Sequence, residues 1–196
     1  MLTKSGEPAR RSAKPPSDDV RLIGRIVAGD LRAFEILYRL YHPRLKQFVA
    51  RITRRPPLVE EVLNDTMLVV WNRADSYNGQ SKVSTWIFAI AYRKALKALQ
   101  RLDEPMEDIL ADRRESGEAG PEQCLGQRQI HQVLTEAMSG LSAYHRAVVE
   151  FAYFQDLGYR EIAEIMDCPV DTVKTRMYHA RRHLKTKLAG ELADWL

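Results

Sequence analysis

The residues of this chain best suited to chemistry lie between Gly158 and Leu188, in GYREIAEIMDCPVDTVKTRMYHARRHLKTKL. Lys174, Arg176, Arg181, Arg182, Lys185 and Lys187 carry six positive charges with no acid between Thr172 and Lys187. Val173, Met177, Ala180, Leu184 and Leu188 recur there at steps of three and four, the spacing of one buried helical stripe. A short apolar segment with Ile162, Ala163 and Ile165 precedes it, and Asp167-Cys168-Pro169 separates the two. Pro169 cannot extend the preceding helix, and Asp171 or a neighbour is placed to cap the next. This is the plan of a helix-turn-helix. Its second helix enters a DNA major groove N-terminal end first. That puts Lys174, Thr175, Tyr178 and His179 at base edges. Arg176, Arg181, Arg182 and Lys185 fall to phosphates. The plain alternative is an amphipathic helix with a solvated basic face. The tight turn, the small Ala163 and the acid-free run together favour DNA.

A second group lies at residues 76–101. The polar run Ser76, Tyr77, Asn78, Gly79, Gln80, Ser81 and Lys82 leads into a helix carrying Trp86, Phe88 and Tyr92 among Arg93, Lys94, Lys97 and Arg101. Aromatics interleaved with bases suit single-stranded nucleic acid, because bases stack on rings while cations follow the backbone. Trp86 and Ile90 are equally readable as core.

Other chemistries find little support. No P-loop, no G-x-S-x-G and no cluster of metal ligands is present, which argues against an enzyme and implies no cofactor. His179 and His183 are four apart, a spacing zinc uses, but no third ligand is near. Cys124 and Cys168 form no C-x-x-C pair, and two such thiols fit a reducing compartment. The N-terminal run MLTKSGEPARRSAKPPSDD lacks the apolar stretch of a signal peptide. No apolar run approaches the roughly 18 residues of a membrane span. A cytoplasmic protein without a membrane partner is therefore expected.

The elements that must position these groups read as helices throughout. Ile23, Ile26 and Val27 start one stripe. Ala33, Phe34, Leu37, Tyr38 and Tyr41 continue it behind a cap at Asp30. Pro43 marks a break or a helix start, and Arg55-Pro56-Pro57 a stop. Val59, Val62, Leu63, Thr66, Met67, Val70 and Trp71 form the next stripe. Ser84 is placed to cap the helix that follows. Ile130, Val133, Leu134, Ala137 and Met138 open the C-terminal half, Gly140 ends that helix, and Ser142 caps another. No period-two alternation suggests a strand.

Charge divides the chain. The 196 residues carry 30 Lys and Arg against 26 Asp and Glu, a net of +4. Residues 103–122 hold eight acids and two bases, a net of −6, so the remainder carries about +10. A basic body with a separate acidic stretch suggests a polyanion partner and something kept off it. The expected architecture is all-α: a disordered tail at 1–20, a helical domain at 21–102, a flexible acidic linker at 103–127, and a helical domain at 128–196 ending in the helix-turn-helix.

The order of these features resembles a known family. LVEEVLNDTMLVVW, SYNGQSKVSTWIFAIAYRKALKALQR and the C-terminal helix-turn-helix together resemble extracytoplasmic-function sigma factors of bacterial RNA polymerase, over about residues 20–190. MDCPVDTVKTRMYHARR is similar to the envelope-stress members. The resemblance implies a sigma factor, possessing no enzymatic activity, that binds core polymerase and directs transcription initiation. The 58–71 helix would meet the β′ clamp helices through Glu60, Glu61, Asn64 and Asp65, and the C-terminal domain the β flap. The 76–82 loop would capture a flipped base of the −10 element. The following helix, with Trp86, Arg93, Lys94 and Lys97, would read and melt the duplex, and the helix-turn-helix would read the −35 element. The linker would thread the polymerase cleft, keeping the two readers apart. An anti-sigma partner is also implied. Leu58 stands where the family often has an acid, which suggests weaker core binding or a modification, with Thr66 the candidate phosphate acceptor.

Two rivals remain at this stage. A two-domain regulator of the response-regulator type would need a receiver, and residues 20–101 show no βα alternation. An adaptor or anti-sigma protein would not need the basic helix.

Overall fold

The computed structural model describes residues 18–102 and 137–193, and every regular element among them is helical. Residues 1–17 of the expected tail, the acidic stretch and Cys124 lie outside the described residues, and the tail's last three positions, Asp18, Asp19 and Val20, are helical instead. In the first half, α1 spans Asp18–Val27, α2 Leu31–Thr53, α3 Pro56–Asn72 and α4 Val83–Gln100. A 3-10 turn at Ala74–Ser76 joins α3 to the loop before α4. In the second half, a 3-10 turn at Met138–Gly140 precedes α5, Ala143–Val149. A π-helical turn, Glu150–Phe154, continues α5, and α6 (Tyr159–Met166) and α7 (Val170–Ala193) follow.

The ends of the helices follow from local chemistry. The Asp30 carboxylate accepts the N–H groups of Arg32 and Ala33 at 2.9 and 3.1 Å, capping α2 as expected. The Arg25 guanidinium beside it and these N–H groups hold its pKa below the usual carboxylate value. The Ser142 hydroxyl caps α5 by accepting from His145 N–H. Arg54 leaves α2 in the left-handed region (φ 53°), and the prolines after Arg55 start α3. Pro at the first helical positions gives up only an N–H that the helix would leave unpaired.

Three local expectations are corrected. Pro43 neither breaks nor starts a helix but lies inside α2. It gives up one backbone bond, while Leu37, Tyr41, Leu45 and Phe48 are buried on both sides of it, so packing holds the helix through the defect. Ser84 does not cap α4. That helix begins two residues sooner, with the Lys82 carbonyl accepting from Trp86 N–H at 3.1 Å. Asp171 does not cap α7 either. It sits inside the first turn, where the Pro169 carbonyl accepts the N–H groups of Thr172 and Val173.

The larger difference concerns the two halves. They do not stand apart on a tether but share one core. Phe48 of α2 stacks on Phe151 of the π-turn with centroids 4.8 Å apart, and Phe88 of α4 meets both rings edge-on. Burying one such phenyl ring contributes about 1.5–3 kcal/mol, so the apolar match outweighs the freedom a tether would allow. Polar groups seal the junction. Arg146, 7% exposed, donates twice to the Ile52 carbonyl at the end of α2, at 2.8 and 3.2 Å, and once to Leu141 O at 2.6 Å. Arg51 donates to both oxygens of the fully buried Glu150 carboxylate at 3.0 Å. Burial pushes the Glu150 pKa up, against the pull of Arg51.

Candidate nucleic-acid interface

The helix-turn-helix has the expected build. Asp167 takes the left-handed conformation at φ 50° that ends α6, a geometry Asp tolerates better than most residues. Cys168 N–H then bonds the Ala163 carbonyl at 3.1 Å. Ile162, Ile165, Val173, Met177 and Ala180 are buried between the two helices and the rest of the half. Gly140 supplies a close approach: a Cβ there would lie 2.7 Å from the His183 ring. Burial holds the His183 pKa below its usual value, with Lys187 adding to the effect.

Fixing that stripe fixes the opposite face. At about 100° per residue, Lys174, Tyr178, Arg181 and Lys185 fall in one exposed row, flanked by exposed Thr175 and Arg182. Tyr178 is 63% exposed, a large aromatic surface left in solvent. Lys174 pairs with Asp171 at 2.9 Å, and Thr175 Oγ1 donates to the Asp171 carbonyl at 3.0 Å. His179 is half-buried, its ring edge-on to Tyr178 and His145. Arg176 departs from the expectation. It lies off the row, with its guanidinium 4.6 Å over the Tyr144 ring and Nη1 3.7 Å from Cys168 Sγ. Two steps from Lys174 on a helix is half a turn, so that placement was available from spacing. Tyr153, which sequence reasoning missed, accepts from Arg181 Nε at 3.0 Å and steadies it.

The second group gathers around the base of α4. Tyr77 Oη donates to Ser81 O at 2.6 Å, and Asn78 Oδ1 accepts Gln80 N–H at 3.0 Å. Gly79 turns the loop with φ 73°, which glycine adopts without steric cost. Ser76, Asn78, Gly79 and Gln80 are exposed at the tip. Trp86 is half-buried, its ring 5.6 Å from Tyr77, so it packs and also walls the loop. Arg93 and Lys97 are exposed along α4. Lys82 reaches across to the second half and pairs with Glu161 at 2.7 Å. That contact draws the Glu161 pKa down. No sequence signal pointed to this pair.

On α3, Glu60, Glu61 and Asn64 are exposed and Asp65 is half-exposed. Each carboxylate there has a cation of its own half. Glu60 meets Lys46 at 2.8 Å, Glu61 meets Arg101, and Asp65 meets Lys94 at 3.0 Å. Lys46 holds the Glu60 pKa below the carboxylate norm. Lys94 thus links the two surfaces expected to meet polymerase and DNA. Thr66 is corrected as a phosphate acceptor. It is fully buried, and its hydroxyl donates to the Val62 carbonyl at 2.7 Å. Among the described residues no group of three or more His, Cys, Asp or Glu is placed to hold a metal ion, and no helix is long and apolar enough to cross a membrane.

Comparison with known proteins agrees with this layout. Residues 37–104 match the family "Sigma-70 region 2", and residues 131–184 match "Sigma-70, region 4". The ECF RNA polymerase sigma-E factor of Haemophilus influenzae is 28% identical over 180 residues, covering 87% of this chain and 95% of its own. The sigma-E factor of Escherichia coli K12 is 29% identical over 180 residues, covering 87% and 94%. Among solved structures, CnrH in complex with the cytosolic domain of CnrY has a TM-score of 0.65 at 21% identity, over 88% of this chain and 97% of that one. The sigma factor RpoE in complex with the anti-sigma factor NepR, from Bartonella quintana, has a TM-score of 0.63 at 23% identity, over 81% and 98%. Those two likenesses are of fold.

Proposed function

The chain belongs to the sigma-70 family, in its extracytoplasmic-function branch, and from that premise we propose how its two halves divide the work of starting transcription. It is a sigma factor that binds core RNA polymerase and directs promoter-specific initiation. Its work is binding rather than bond chemistry.

In the first half, Glu60, Glu61, Asn64 and Asp65 present α3 to the β′ clamp helices. The loop from Ser76 to Lys82 receives a base flipped from the −10 element. Unstacking a base costs a few kcal/mol, which contacts with the loop and Trp86 must offset. Arg93, Lys94 and Lys97 follow the phosphates of the opened strand. In the second half, Lys174, Thr175, Tyr178 and His179 read the −35 duplex. Arg181, Arg182 and Lys185 meet its backbone, and Arg176 braces the helix from Tyr144. The C-terminal half also meets the β flap, and residues 103–127 link the two readers within the polymerase. An anti-sigma factor that holds both halves is a further partner. A cytoplasmic location follows from the polymerase partner.

The observation that carries this reading is the order of two independent nucleic-acid surfaces, loop plus α4 and then the exposed row on α7, under the two matching sigma regions. Run-off transcription with purified core polymerase across genomic promoters is the test. Promoter-specific transcripts are expected. A folded chain that yields none at any promoter would sink the reading.

A further inference from the structure

An open cleft of about 860 Å³ lies where the end of α2 and the start of α3 face Met138, Arg146 and Phe154 of the second half. No residue assigned to DNA lines it. Its walls carry five cations, Lys46, Arg51, Arg54, Arg55 and Arg146, and Glu60 is the one carboxylate among the described lining residues. Two of the guanidinium groups are held in place. Arg146 is fixed by its bonds to the neutral carbonyls of Ile52 and Leu141. Arg51 lies 3.8 Å over the Phe154 ring, and its Nη1 holds the Glu150 carboxylate behind it. Arg54 and Arg55 are exposed at the rim, and Lys46 bonds Glu60 there at 2.8 Å.

Like charges gathered around one concavity repel one another, and packing alone gives no reason to gather them. A guanidinium presents a rigid fork of N–H donors that matches phosphate oxygens two at a time. A single phosphate cannot reach forks spread around a cleft of this size, whereas a chain of phosphates can. The rest of the space suits a flat ring, because Phe154 and Met138 give it an apolar wall. Pockets of roughly 300–1,000 Å³ with such mixed walls hold small-molecule ligands.

We propose that this cleft binds a nucleoside polyphosphate. The phosphates meet Arg54, Arg55, Arg146 and Lys46, and the base lies against Phe154 beside Arg51. The ligand touches both halves at once, so it stabilises the whole folded chain by mass action. The chain thereby answers to a small phosphorylated metabolite as well as to its macromolecular partners. This inference goes beyond promoter reading and does not depend on it.

The test titrates the full chain with ATP, GTP, inorganic triphosphate and adenosine by calorimetry, at about 0.15 M salt so that loose attraction to surface charge is screened. ATP or GTP should bind at one site per chain and raise the melting temperature. Inorganic triphosphate should bind about tenfold more weakly, and adenosine not at all. Arg54→Asn with Arg55→Gln changes only exposed side chains and should weaken every phosphate ligand by about tenfold or more. Phe154→Ala should weaken ATP and GTP by a similar factor while inorganic triphosphate stays within about twofold. Lys174→Ala/Arg181→Ala/Lys185→Ala, on the α7 row, should leave nucleotide binding within about twofold. No saturable binding of any of the four ligands would overturn the proposal. So would loss of nucleotide binding in the α7 variant, which would put the ligand on the DNA row. Inorganic triphosphate binding as tightly as ATP, or ATP binding unaltered by Phe154→Ala, would overturn the assignment to a nucleoside.

Discussion

The charged surfaces of the two halves are prepared in opposite ways. In the first half, Glu60, Glu61, Asp65, Lys82 and Lys94 each have a partner of opposite charge inside the chain. In the second half, the row from Lys174 to Lys185 stands in solvent, and Lys174 meets only its i−3 neighbour Asp171. A prepaired surface must exchange one ion pair for another when it binds, so its net gain is small and depends on geometry. An open basic row gains directly from displacing counterions. The first half is thus built for conditional binding and the second for steady attraction to duplex DNA.

The sharpest way to break this contrast is to remove the open row. A Lys174→Ala/Tyr178→Ala pair takes away two base-edge contacts, where a well-made pairing discriminates by about 1–3 kcal/mol. Transcription from a −35-dependent promoter should fall tenfold or more. Binding to core polymerase, measured by fluorescence anisotropy of the labelled chain, should hold. Equal loss at promoters with and without a −35 element would mean the row is only a general phosphate grip.

The prepaired half should respond more weakly and in two directions. Lys94→Ala releases Asp65 toward the clamp and removes a cation from α4. Half-exposed pairs of this kind contribute about 0.2–1 kcal/mol. Core affinity should therefore rise up to fivefold, while strand opening, read by permanganate reactivity of unpaired thymines, falls by a similar factor. A parallel loss of both would show that Lys94 only holds α3 against α4.

How much of this was legible beforehand follows the range of the interactions. The caps at Asp30 and Ser142, the turn at Asp167 and the stripe from Val173 to Ala180 are local, and the sequence carries them in spacing and residue type. Pro43 misled because burial on both sides of it outweighs the propensity that a proline expresses. Lys82–Glu161, Arg51–Glu150 and the Phe48–Phe151 stack join residues 79 to 103 positions apart. No periodicity encodes such pairings. The packed junction was therefore the least readable part, and charge asymmetry alone pointed instead to halves kept apart. Arg176 lies between these cases, since its angle on α7 places it away from Lys174 and only its charge suggested a phosphate.

The smallest expected effect bears on whether the first half is conditioned by modification. The resemblance implied an acid where Leu58 stands, and Thr66, on the same helix, was the natural candidate for supplying charge. Its hydroxyl is instead spent on the Val62 carbonyl within the core, among Val62, Leu63 and Val70. A phosphate placed there would need α3 to leave the bundle, because a buried dianion without partners is far too costly. Thr66→Val keeps the shape and removes only this hydroxyl. The carbonyl remains available to its helical N–H partner, so the loss should stay near 1 kcal/mol. Transcription in cells should match the wild type under every inducing condition, and thermal unfolding should shift by a few degrees at most. A Thr66→Val chain that folds normally yet fails to transcribe would return the hydroxyl to a regulatory role. The conditional character of the first half would then lie on α3 rather than in its ion pairs.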